Sequence, residues 1–100
     1  MQTEYSAVIS KVVFEYMGIP YKMVGSRKSY KEIVQARSLT YWILTKRVGY
    51  TYKRVGRIFG YDHSTVHFAV KKIDGYLTND ENTKKQLAVI LYKLQLKGLD

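Results

Sequence analysis

Apolar residues return at intervals of three and four through most of the chain, and the breaks in that rhythm fall at glycine, proline and short polar residues. Tyr5, Val8, Ile9, Val12, Val13, Tyr16 and Met17 make one stripe, which predicts an amphipathic helix from Thr3 to Met17, closed by Gly18 and Pro20. Ile19 to Ser26 is a connector, with a helical turn around Tyr21 to Val24 that tucks Ile19 and Val24 under the domain. A second helix, Tyr30 to Arg47, turns Ile33, Ala36, Thr40, Ile43 and Leu44 inward and leaves Trp42 half-buried; Gly49 ends it. Thr51 is placed to cap a third helix, Tyr52 to Phe59. Asn79 or Asp80 caps a fifth, Glu81 to Leu96, whose inward residues are Leu87, Ile90, Leu91 and Leu94.

Between the third and fifth helices lies a tight corner. Val55 and Phe59 sit four apart, Gly60 follows where a left-handed residue commonly ends a helix, and Asp62 or Ser64 can cap a fourth helix from His63 to Leu77. Its stripe is Val66, Ala69, Val70, Ile73 and Leu77. Gly56 inside the third helix costs roughly 1 kcal/mol against alanine, so its presence predicts that the fourth helix passes too close for a side chain. Two helices joined this way form a helix-turn-helix, in which the second offers its N-terminal residues to the major groove of DNA. Here those residues are Asp62, His63, Ser64 and Thr65, with His67, Phe68 and Lys71 further along the same outward side. The predicted fold is all-α, a bundle of five to six helices in a single domain spanning residues 1–100.

Charge adds a ligand class to this picture. The net charge is +9, and all of it arises in the middle of the chain: Tyr21 to Arg57 holds ten basic residues against Glu32 alone. That concentration predicts a polyanionic partner. Arg27, Lys28 and Lys31, in a basic loop around residues 26–31, point to phosphate or groove contact, while Lys46 and Arg47 also suit a helix C-terminus. With 46% hydrophobic and 25% charged residues the chain is globular. It has no cysteine, which removes disulfides and thiolate chemistry and fits a reducing cytoplasm; no apolar run reaches the length of a membrane span.

The order of these parts resembles a known family. ARSLTYWIL, YKRVGRIFGYDHSTVHFAVKKI and the basic loop between Gly25 and Lys31 are similar to the C-terminal DNA-binding domain, domain IV, of the bacterial replication initiator DnaA, a Trp-repressor-like helix-turn-helix. The likeness runs from Ile9 to about Leu77 and is most specific at Asp62 to Val66, where Asp-His-Ser-Thr-Val stands for the family's Asp-His-Thr-Thr-Val. It implies that Asp62, His63, Ser64 and Thr65 address base edges and phosphates, and that Arg37 supports minor-groove and backbone contacts. The chain departs from the pattern in three places: Gly60-Tyr61 is one residue shorter than the family's Gly-Gly-Arg, Phe68 replaces a histidine with His67 beside it, and Ser29 stands where a loop arginine reads the minor groove. The family's ATPase domain has no counterpart here. Met1 points to a free-standing module, of phage or mobile-element origin, and an excised domain is the alternative.

The proposed contacts have a simple chemistry. The Asp62 carboxylate can cap the fourth helix and accept from a cytosine amino group; His63, Ser64 and Thr65 donate to phosphates or base acceptors, and Thr65 also offers a methyl to thymine. Phe68 makes only apolar contact of that kind, or else packs on the basic loop or the first helix. Affinity is expected from Arg27, Lys28, Lys31, Arg37, Lys53, Arg54 and Lys71 on phosphates. His63 and His67, four apart with no third histidine and no Glu between them, make a poor zinc site, so the expectation is a non-enzyme without cofactor, metal or small-molecule substrate. The expected partner is double-stranded DNA, with replication or transcription proteins as further candidates, in replication control or transcription regulation; the rival is a protein-interaction module that binds the replication machinery or another initiator, which ten tyrosines and Phe68 would suit.

Overall fold

The computed structural model describes residues 2–25 and 30–98, with side chains from Tyr5 onward. These residues form five α-helices: α1 (Gln2–Tyr16), α2 (Lys31–Ile43), α3 (Tyr52–Phe59), α4 (His63–Asn79) and α5 (Glu81–Leu96). A 3-10 turn at Tyr21–Gly25 links α1 to α2, and a π-helical turn at Leu44–Val48 extends α2. The all-α helix-turn-helix architecture is the one the pattern of apolar positions predicts.

Each helix ends for a local reason. Gly18 takes a left-handed φ of 75°, which turns the Ile19 amide back onto the Phe14 carbonyl at 2.9 Å. The π turn differs from the continuous helix expected as far as Arg47. Gly49, at φ 95°, and Tyr50 both donate to the Leu44 carbonyl, at 3.0 and 2.9 Å, and the five-residue reach of the Gly49 bond widens the last turn. There the Thr45 hydroxyl donates to the Tyr41 carbonyl at 2.9 Å, so a side chain competes for the backbone acceptor. At α5, Asp80 is the cap: it accepts from the Asn82 amide at 3.2 Å and from the buried Thr83 hydroxyl at 2.9 Å.

Helix α2 forms the centre of the core. Ile33, Ala36, Leu39, Tyr41, Ile43 and Leu44 are all buried, a wider band than one stripe, because α1 and α4 both pack on it. Its buried Thr40 is satisfied within the helix by the Ala36 carbonyl at 2.9 Å. On α1 the buried apolar residues are Ile9, Val12, Val13 and Phe14, and Tyr5 is 44% exposed, so the inward face is rotated from the predicted stripe. Contact with both α2 and α5 explains the shift toward Phe14. Val66, Val70 and Ile73 of α4 and Leu87, Ile90 and Leu94 of α5 complete the cluster, with Ala69, Leu77 and Leu91 half-buried at its edge. The helix α4 thus has one face sealed on the core and one left outside.

Candidate nucleic-acid interface

The corner between α3 and α4 is held by its own backbone. Thr51 caps α3 by accepting from the Arg54 amide at 3.1 Å. Gly60, at φ 79°, and Tyr61 both donate to the Gly56 carbonyl, at 2.8 and 2.9 Å. The turn therefore folds back over Gly56, and a Cβ there would overlap the Tyr61 carbonyl oxygen. What crowds Gly56 is this turn, not the body of the following helix as its position in the sequence suggested. Asp62 is the cap of α4: its Oδ2 accepts from the Ser64 amide at 3.4 Å and from the Ser64 hydroxyl. The bond from that hydroxyl is the main reason its carboxyl is held below the usual carboxylate range, with the Ser64 amide and the nearby His63 adding to it. His63 Nδ1 lies 3.6 Å from Asp62 Oδ1.

Aromatic packing supports the corner from behind. The buried Tyr41 of α2 meets Phe59 with ring centroids 5.2 Å apart and Tyr61 at 6.4 Å. The Arg37 guanidinium lies 5.6 Å from the centre of the Tyr61 ring, so an arginine expected on α2 alone belongs with the turn. Further along α4, Asp74 Oδ1 accepts from Trp42 Nε1 at 2.8 Å, and Lys46 Nζ lies 3.5 Å from Oδ2. Tyr61 and Asp74 escaped the sequence reading because each acts through residues of another helix, and no spacing along the chain relates them. An aromatic residue directly before a cap, and an acid amid the basic half of α4, were the available signals.

The outward face of α4 carries His63, Ser64, Thr65, His67, Phe68 and Lys71, all exposed. Phe68 is 75% exposed and does not pack on α1. The His67 ring lies 4.8 Å from that of Tyr52, which brings the start of α3, with the exposed Lys53, beside this face. The Arg54 guanidinium sits 3.9 Å over the Tyr50 ring, its stem half-buried. Lys31 is not gathered with the first turn of α4: it borders a groove of about 800 Å³ with Lys72, Tyr76 and Gln86, where α2 begins and α4 ends. Arg27 and Lys28 lie outside the described residues. Among the described residues no three His, Asp or Glu side chains gather as a metal-holding group, and no helix is long and apolar enough to cross a membrane.

The sequence that builds this arrangement has relatives among bacterial initiators. The chain is similar to the chromosomal replication initiator protein DnaA of Pelobacter propionicus, 40% identical over 73% of this chain and 16% of that protein. The DnaA of Thermodesulfovibrio yellowstonii is 32% identical over 87% of the chain and 20% of the relative, and that of Mycoplasma capricolum 31% over 89% and 20%. The chain thus spans a fifth or less of these relatives' length. Residues 6–73, from α1 through the folded corner to the last buried residue of α4, match the bacterial dnaA protein helix-turn-helix, and the chain belongs to that family.

Proposed function

We propose that the chain binds double-stranded DNA with α4 in the major groove, in the control of replication. The observation that carries this reading is the division of α4: Val66, Val70 and Ile73 are wholly buried, while every polar side chain of its first turn is exposed beside a capped, positively polarised helix end. Kinship with proteins named chromosomal replication initiators supports the process.

In this reading Asp62, His63, Ser64 and Thr65 meet base edges. Asp62 Oδ2 is engaged by Ser64, while Oδ1, 3.6 Å from His63 Nδ1, keeps a lone pair for a cytosine amino group, and the Ser64 oxygen is a further acceptor. His67, Lys53, Arg54 and Lys71 track the phosphates of the groove that α4 enters. Arg37, Lys31, Arg27 and Lys28 serve the neighbouring backbone or minor groove. Base contacts then set the sequence, and the lysines and arginines set most of the affinity.

Titration of random and selected duplexes at two salt concentrations tests this. Each phosphate neutralised adds about 0.9 to the slope of log K against log salt, so engagement of all seven lysines and arginines gives a slope near about −6. No binding to any duplex at low salt would overturn the reading and favour a protein partner.

A further inference from the structure

Phe68 is the most exposed large apolar side chain among the described residues, at 75%. Its place on α4 is as informative as its exposure. At about 100° per residue it lies roughly 170° from the mean direction of Val66, Val70 and Ile73, the centre of the face turned away from the core. Ser64 precedes it by four residues and Lys71 follows by three, so the three share one surface strip. Any duplex seated against Ser64 and Thr65 meets the phenyl ring next, with Lys71 beyond it. The ring adds nothing to the core and has no donor or acceptor. In the major groove the apolar feature it can meet on a base edge is the C5-methyl of thymine.

We propose that Phe68 makes one position of the binding site a 5-methylpyrimidine position, read through the C5-methyl and not through the base's hydrogen-bond pattern. The proposal rests on the duplex-binding reading given above. It has an unusual consequence. Thymine and 5-methylcytosine present the same methyl while their exocyclic groups at C4 are an acceptor and a donor, so the phenyl ring accepts both. Uracil and cytosine, which lack the methyl, are both disfavoured. The site would then respond to methylation of a cytosine placed there. Thr65 carries a methyl of its own, one turn earlier, and the test has to separate the two.

The chain is first used to enrich duplexes from a random pool, and each thymine of the enriched sequence is replaced singly by uracil. One position should raise Kd about four-fold, the equivalent of one buried methyl at about 0.8 kcal/mol. At that position a cytosine·guanine pair should bind as poorly as uracil, and 5-methylcytosine·guanine should restore the affinity. The response should vanish in Phe68→Ala and persist in Thr65→Ser, with the melting temperature of Phe68→Ala unchanged because the ring is outside the core. A flat uracil scan, the same scan in Phe68→Ala, or 5-methylcytosine no better than cytosine would each overturn the inference while leaving duplex binding in place. Failure to enrich any duplex would overturn the duplex reading and the inference together.

Discussion

Gly56 and Gly75 are both helical glycines, and the structure predicts opposite outcomes for the same substitution. Replacing a helix glycine with alanine normally gains about 1 kcal/mol. At Gly75, on the exposed side of α4, a Cβ meets nothing within 4 Å, so Gly75→Ala should stabilise by about 0.5–1 kcal/mol. At Gly56 the new Cβ overlaps the Tyr61 carbonyl oxygen and stands 3.4 Å from its carbon and 3.5 Å from the Asp62 carbon. All three are backbone atoms, which cannot rotate away. The turn cannot swing aside freely either, because Gly60 and Tyr61 donate to the Gly56 carbonyl at 2.8 and 2.9 Å. Overpacking of this kind costs about 1–3 kcal/mol, and a lost turn hydrogen bond about 1 kcal/mol more. Against the propensity gain, the net for Gly56→Ala is a loss of about 1–3 kcal/mol. For a chain of this size that lowers Tm by roughly 4–24 °C, while Gly75→Ala raises it by a few degrees. Thermal unfolding followed by far-ultraviolet circular dichroism measures both, and a Gly56→Ala protein as stable as Gly75→Ala would refute the crowding of that corner.

Asp74→Ala should strip the Trp42 Nε1 of its acceptor, cost about 1 kcal/mol and red-shift the emission of the single tryptophan; unchanged emission would show that the bond is not formed in solution. Most of that loss belongs to the tryptophan bond, because the Lys46–Asp74 pair is more than a third exposed on both sides. The Asp62 carboxyl is depressed in the folded chain, so its contribution is present above the unfolded-state pKa and is lost as pH falls through the lower folded value. The gap in Tm between the native chain and Asp62→Ala should therefore close on acidification, and a gap that widens in acid would contradict the cap. On DNA, Thr65→Ala should lower the ratio of specific to nonspecific affinity by roughly 1–3 kcal/mol, whereas Lys53→Ala weakens both alike and flattens the salt slope by about 0.9; equal losses on both duplexes for Thr65→Ala would remove it from base readout.

The parts of this fold that sequence disclosed are those set by local chemistry. Thr51 and Asp62 are short polar residues at the start of apolar stripes, and both cap the helices they precede. Gly18, Gly49 and Gly60 mark helix ends because each takes a left-handed φ that other residues avoid. The outward set of α4 followed from subtracting its buried stripe, and the exposures of Thr65 and Phe68 agree with it. What periodicity could not supply was partnership across helices. Arg37 over Tyr61, Trp42 on Asp74 and Tyr52 against His67 each join residues between 15 and 32 positions apart, and their pairing depends on how α2, α3 and α4 cross. The π turn at Leu44–Val48 was hidden for another reason, since its residues keep helical spacing and only the hydrogen-bond reach changes.

These partnerships have a functional meaning when taken along α4. Its start is fixed by the turn over Gly56 and the Tyr41, Phe59 and Tyr61 rings, its middle by Val66, Val70 and Ile73, and its later turns by Asp74 on Trp42. None of these residues lies on the outward face. In the proposed binding mode, the angle at which α4 would meet a duplex is therefore set by one group of residues, and what it would read by another. Substitutions at His63, Thr65 or Phe68 should stay within about 0.5 kcal/mol of native stability while changing the site that is bound. Asp62 and its partner Ser64 belong to both groups, because the carboxylate proposed to face a base also holds the Ser64 amide and hydroxyl at the helix start. An exchange at Asp62 should consequently alter stability and specificity together, and that joint change separates a residue that aims the helix from those that only read.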